Sequence, residues 1–186
     1  MLIVSVLVAF GMGVWHAELF TVSRTGERPM PLVLIPEAQR RLMHFNAVLP
    51  QVPVGMRRLE AGNGVLLVHY WAPWERDSRV QVVALDSLRR ATGLEELSVV
   101  VVCFDPFPSV ARFVGRNRLR LAVVLDGGHA LSRQLPCPSV PYTYVLDRAG
   151  RIAVEHDGEI DWLDAETVRV LHEVLHEPGR PLGPGV

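Results

Sequence analysis

Residues 65–78 read VLLVHYWAPWERDS. The first four, Val65-Leu66-Leu67-Val68, are an unbroken apolar run. Asn63-Gly64 stands before it and Pro73 closes it, so it reads as a strand buried on both faces. After Pro73 the pattern changes. Over residues 75–92 the apolar positions Val80, Val83, Ala84, Leu88 and Ala91 recur at three and four, and Gly93 offers a C-terminal cap. This predicts a helix with those side chains on its inner face. Residues 97–104 make a second continuous apolar strand. Two such strands joined by a helix form a β-α-β unit, and both faces of its sheet need a cover.

Downstream, residues 109–117 read as a short helix with Val110, Phe113 and Val114 inward. Residues 121–125 are another short apolar segment, broken by Gly127-Gly128, and residues 130–135 suit one or two helical turns. Residues 142–146 and 152–156 pair as a hairpin around a turn at 147–150. A last helix spans residues 164–177, with Asp164 as its N-cap and Pro178 at its end. Residues 178–186 form a Pro/Gly tail. Upstream, residues 28–36 are a proline-punctuated linker. Residues 37–49 show helical spacing at Ala38, Leu42, Phe45 and Leu49, and residues 50–63 are irregular with one short strand. There is no internal repeat.

The chain has 186 residues, 49% of them apolar, which suffices for one domain and an appendage. Its net charge of −1 gives no global pull toward nucleic acid. All 19 basic side chains are arginine, a bias of composition and not of chemistry. Arg112, Arg116, Arg118 and Arg120 form a basic run, while residues 155–166 hold six acids; both read as solvated faces. Residues 2–20 are nearly all apolar, with Glu18 their only charge. Trp15 stands where a small residue should precede a cleavage after Ala17, so residues 1–20 are expected to remain as a membrane anchor. The plainer alternative is a buried strand at residues 2–10. Arg24 and Arg28, by charge alone, favour a cytoplasmic side for the chain beyond them.

The chemistry-bearing residues are few. Cys103 and Cys137 have neither C-x-x-C nor zinc-ligand spacing. Cys103 lies in an apolar strand and reads as an inert thiol, whereas Cys137 sits between two prolines in a loop. His172-Glu173-Val174-Leu175-His176 matches H-E-x-x-H, the zinc-protease helix, but Leu182 occupies the third histidine position of its longer form. The wheel places His172 and His176 beside Arg169 and Glu173, flanking a buried stripe of Val168, Leu171 and Leu175. No metal and no cofactor are expected, and a zinc metallohydrolase is the remote alternative. His69, at the end of the central strand, reads as a residue of packing or of a supporting hydrogen bond.

Trp71-Ala72-Pro73-Trp74-Glu75-Arg76-Asp77-Ser78 resembles the Trp-Ala-x-Trp-Cys-x-x-Cys turn of thioredoxin-like proteins. The segment at residues 140–152, VPYTYVLDRAGRI, resembles their Val-Pro-Thr-Thr-Phe-x-Ile-Asp-x-x-Gly-x-Ile. Gly158-Glu159-Ile160-Asp161-Trp162 is similar to the following loop of the membrane-anchored TlpA-like branch. The match covers residues 60–176. It implies a thioredoxin-like three-layer α/β/α sandwich with a mixed central sheet at residues 60–177, after a linker and lead-in segment with a short helix at 21–59. It also implies a cis Pro141 and a periplasmic domain, against the charge rule. The reaction is missing, because Glu75 stands at the first cysteine and Ser78 at the second. The expectation is a redox-inactive binding or assembly module, a membrane-anchored accessory protein or a subunit of a larger membrane complex. Its protein partner is expected on Trp74 and its neighbours, with Arg76 and Asp77 at the rim and Pro141 and Tyr142 beside them. The alternative of another class is a single-cysteine thiol oxidoreductase using Cys137.

Overall fold

The computed structural model describes residues 21–22, 29–91 and 94–177. The expected anchor at residues 1–20, the Gly93 cap and the tail at 178–186 lie outside the described residues. Among the described residues, no helix is long and apolar enough to cross a membrane.

In chain order the elements are β1 (Thr21–Val22), β2 (Asn46–Val52), β3 (Met56–Glu60), β4 (Leu66–Tyr70) and α1 (Arg76–Ala91). Next come β5 (Ser98–Cys103), α2 (Phe107–Asn117), β6 (Ala122–Leu125), β7 (Ser139–Val140), β8 (Tyr142–Leu146), β9 (Ile152–Asp157) and α3 (Ala165–His176). Seven strands make one mixed sheet in the order β3-β2-β6-β5-β4-β8-β9, and β1 pairs with β7 in a separate parallel ribbon. β4 lies at the centre, parallel to β5 and antiparallel to β8, with all five of its residues buried.

The helix expected over residues 37–49 is not there. A single 3-10 turn occupies Glu37–Gln39, and the chain becomes strand β2 from Asn46. Phe45 and Leu49 fit a helical period, but with Ala47 they also fit a period of two. Ala47 is buried and Val48 exposed, so the alternation is the pattern that folds. The β2–β3 hairpin extends the sheet past β6, so the sheet is not confined to residues 60–177. The turn expected to be helical at residues 130–135 is likewise not an α-helix. Asp126, buried, accepts from the backbone N–H of Leu131 at 3.1 Å and of Ser132 at 2.8 Å, and holds residues 126–132 as turns.

The layers also differ from the expected α/β/α sandwich. The crossovers β4-α1-β5 and β5-α2-β6 step the same way along the sheet, and right-handed connections then put both helices on one face. That face carries Leu67, Val101, Cys103 and Val145, and it packs against Val82 and Leu85 of α1, Val110 of α2 and Val170 and Val174 of α3. The opposite face, with Val68, Val100 and Tyr144, is covered by Phe45, Leu131 and Leu135 from extended chain and turns. Among the described residues, the second outer layer holds no α-helix.

α1 itself is rotated from the expectation. Val80 and Val83, predicted inward, are 58% and 38% exposed. Ser78, Gln81 and Asp86 take the inside with Val82, Leu85 and Leu88, and Gln81 and Asp86 serve backbone elsewhere. Asp86 Oδ1 accepts from the N–H groups of Arg120 at 2.8 Å and Leu121 at 3.0 Å, and Gln81 Oε1 accepts from Ile160 N–H at 3.0 Å. Each satisfies buried backbone that would otherwise cost a lost hydrogen bond.

Candidate functional site

β4, β5 and β6 end, and β8 begins, at the same edge of the sheet, since Tyr70 pairs with both Val102 and Tyr142. The segments that leave this edge are residues 71–78, 103–109, 126–129 and 137–142. In open α/β sheets ligands gather outside such carboxyl ends. All the residues singled out around the turn after β4 lie here, together with Cys137, Pro141 and Tyr142.

Glu75 caps α1. Its carboxylate accepts from the backbone N–H of Asp77 at 3.0 Å and, closer still, from that of Ser78. Those N–H groups have no partner within the helix, and an acid is favoured at this end by the helix dipole. Glu75→Ala is therefore expected to cost about 1 kcal/mol of stability, seen as a lower denaturant midpoint at unchanged slope. An unmoved midpoint would show that the cap carries nothing. Ser78 points the other way. It is fully buried, and its hydroxyl finds no hydrogen-bond partner among the described residues.

Beneath α1, His69 is fully buried. Its Nδ1 meets Thr143 Oγ1 at 2.9 Å, its ring stands edge-on to Trp162 with centroids 5.8 Å apart, and Nε2 has no partner among the described residues. His69, Thr143 and His156 are direct cross-strand neighbours on β4, β8 and β9. Burial, helped by the nearby His156, pushes the His69 imidazole down to about 3, so it is neutral at ordinary pH.

The peptide before Pro141 is cis, as the resemblance implied. Pro141 O accepts from Gly158 N–H at 2.9 Å, and the Ser139 hydroxyl donates to Asp157. The sheet, however, separates the expected partner residues. Trp74 is 56% exposed on the helix-covered side, with Arg76 and Asp77 after it. Tyr142 is buried and lines a cavity of about 520 Å³ on the other side, with Phe104, His129, Cys137 and Tyr144. There the Tyr142 hydroxyl donates to Glu155 at 2.9 Å and that of Tyr144 to Pro136 O at 2.7 Å.

Both thiols are free. Cys103 donates to Asp105 Oδ2 at 3.5 Å, and Cys137 to Ser139 O at 2.9 Å. Burial pushes both up, Cys137 to about 12 with Asp157 and Asp126 adding to it. At pH 7 the Cys137 thiol is then protonated, which does not favour it as a nucleophile. In α3, Asp164 caps the helix as expected, accepting from Glu166 and Thr167 N–H. Glu173 of the H-E-x-x-H stretch is held by Arg169 at 2.6 Å, and His176 Nδ1–H donates to His172 O at 2.7 Å. Among the described residues, no group of three or more His, Cys, Asp or Glu side chains could hold a metal.

What sequence reasoning missed is on the far side of Trp74. Arg79, Arg112 and Arg116 surround a hollow of about 470 Å³ with Trp74, Asp105 and Phe113. The basic run was visible, but its relation to α1 required the rotation of that helix.

No protein-family model and no curated protein matches the chain. Solved structures do. A proposed thiol:disulfide interchange protein DsbE from Chlorobium tepidum superposes with a TM-score of 0.65 at 18% identity, over 74% of this chain and 98% of that one. StoA from Bacillus subtilis gives 0.59 at 17% identity, over 72% and 98%. A secreted Mycobacterium tuberculosis disulfide oxidoreductase, homologous to E. coli DsbE, gives 0.56 at 13% identity, over 68% and 95%. Likeness at such identities establishes the fold, a thioredoxin-like α/β fold with a mixed sheet.

Proposed function

We propose that this chain of thioredoxin-like fold is a redox-inactive binding or assembly module, held to a membrane by residues 1–20 with its domain on the periplasmic side. One observation carries the reading. At the start of α1, where disulfide exchange requires two cysteines, the chain has a carboxylate spent on capping the helix and a hydroxyl sealed beneath it. A carboxylate cannot form a mixed disulfide, and a buried serine cannot resolve one. Exposed Trp74 beside that helix start is the kind of anchor an interface uses. The apolar run of residues 2–20 supports the anchor, and a secreted protein among the structural neighbours supports an extracytoplasmic domain.

The test is thiol chemistry. In insulin reduction and in trapping of mixed disulfides, the purified protein is expected to match a Cys137→Ser control at background. Thiol-dependent turnover that disappears in that variant would overturn the reading in favour of a single-cysteine oxidoreductase.

A further inference from the structure

We propose that the groove between α1 and α2 is a docking site for an acidic amphipathic helix of a partner protein. This deepens the binding-module reading and rests on it. The floor of the groove is apolar. Val80, Val83 and Ala84 on α1 face Phe113 on α2 across a hollow of about 490 Å³, which adjoins the one beside Trp74 through Arg79, Phe113 and Asn117. Phe113 is fixed by its contact with buried Trp71, ring centroids 4.8 Å apart. Val80 and Val83 are among the large apolar side chains this fold leaves in water, and they stand in the middle of α1, away from any chain terminus.

The rim is basic. Arg76, Arg79, Arg112 and Arg116 line the two hollows, and none of them forms an ion pair among the described residues. Arg79 Nη1 donates to Pro73 O and Arg112 Nε to Pro108 O, which leaves most of each fork unused. Elsewhere five arginines, Arg40, Arg41, Arg148, Arg151 and Arg169, do meet carboxylates. The acids near the groove are engaged. Glu75 caps α1, and Asp105 accepts from the Cys103 thiol. Four guanidinium groups therefore line two adjoining hollows in which the one carboxylate is Asp105.

Shape and charge together choose the occupant. Exposed Val80 and Val83 and half-buried Ala84 follow the i, i+3, i+4 spacing of a helix ridge, and a second helix can lay an apolar ridge between α1 and α2. Covering the floor takes water away from the arginines, and only acids flanking that ridge would offset the loss. A flat bilayer surface could meet the rim but not the floor between the helices.

The probe is a labelled helical peptide of about 18 residues, with Leu at i, i+3, i+4 and i+7 and Glu on both flanks. Its counterpart carries Lys in place of every Glu. Each is titrated into the full-length protein in mild detergent, and phosphatidylglycerol vesicles are tested with the protein separately. The Glu peptide is expected to bind saturably, more weakly as salt rises, and the Lys peptide not to bind. Arg112→Gln/Arg116→Gln and, separately, Val83→Gln are each expected to weaken binding about tenfold. Their thermal midpoints should stay in place, since all three residues are exposed. Equal binding of both peptides, no binding, or indifference to both variants would overturn the proposal. Arginine-dependent binding to the vesicles without binding of the Glu peptide would overturn it in favour of a bilayer contact. Thiol turnover in the insulin assay would defeat the module reading while leaving this titration to decide the groove. Failure of the titration alone would leave the module with another surface.

Discussion

Arg40→Ala is expected to lower the unfolding free energy by roughly 3 kcal/mol, the largest loss of any single surface-distant substitution outside the apolar core. The Arg40 side chain is almost wholly buried. Its Nε donates to Ile35 O at 2.9 Å, Nη1 to Asp147 Oδ2 at 3.1 Å, and the fork grips Glu177 through two bonds of 2.5 and 2.6 Å. One side chain thus ties the lead-in segment to the β8–β9 turn and to the end of α3. The Glu177 bond most of all, and Asp147 with it, raise its guanidinium above the ordinary arginine value against the pull of burial. Removing it leaves Glu177 facing a gap and Asp147 without one of its two arginines. Asp147 retains Arg151 at 2.8 Å and the N–H groups of Ala149 and Arg151, which is why the expected loss is not greater. Arg40→Lys keeps the charge but not the fork, and should recover only part of the loss. Chemical denaturation measures it; a loss under about 1 kcal/mol would mean that the three segments are held by other contacts.

Acid should weaken the fold through His69, by about 2 kcal/mol between pH 7 and pH 5. The folded imidazole is held down to about 3 by burial and by His156. Unfolded, it titrates near its ordinary value of about 6.5. Between those two values the unfolded chain binds a proton that the folded chain refuses, so stability falls as pH falls. The contribution is complete above about 6.5 and declines by about 1.4 kcal/mol per unit below it. His69→Gln removes the titration and keeps a group that can reach Thr143. Subtracting its pH–stability curve from that of the wild type should reveal this slope, and parallel curves would show that the ring is protonated without cost.

The central features were legible because they are local. The apolar run 65–70, the turn at Pro73, the hairpin about 147–150 and the Asp164 cap each rest on a few consecutive residues. So were Glu75 and Ser78 at the positions where the resembled turn has cysteines, although not the capping bond that Glu75 makes. The misreadings share a cause in distance. Nothing near Gln81 or Asp86 announces that each will serve a backbone N–H at residues 160 and 120–121, and those bonds turn α1 so that Val80 and Val83 face out. Arg40 gave no signal because its carboxylate partners are more than a hundred residues away. Residues 45–49 satisfied two periods at once, and only pairing with β3 chose between them. The residues expected to meet a partner looked like one patch because sequence does not say that Trp74 and Tyr142 leave the sheet on opposite sides.

The ribbon of β1 and β7 has a consequence for reach. Thr21 and Val22 run parallel to Ser139 and Val140, immediately before Pro141, so the preceding chain joins the domain at the edge where β4 ends and Trp74 stands. A domain on a leash does not sample a volume evenly; it sweeps a shallow cap around its point of attachment, and the effective concentration is highest for targets near that point. With residues 1–20 in a bilayer, as proposed, the leash fastens beside the working edge and not at the far end near the 147–150 turn. The domain would then hang with that edge toward the lipid. A protein embedded in the same membrane would meet it at high local concentration, while one diffusing freely would meet mainly the opposite end.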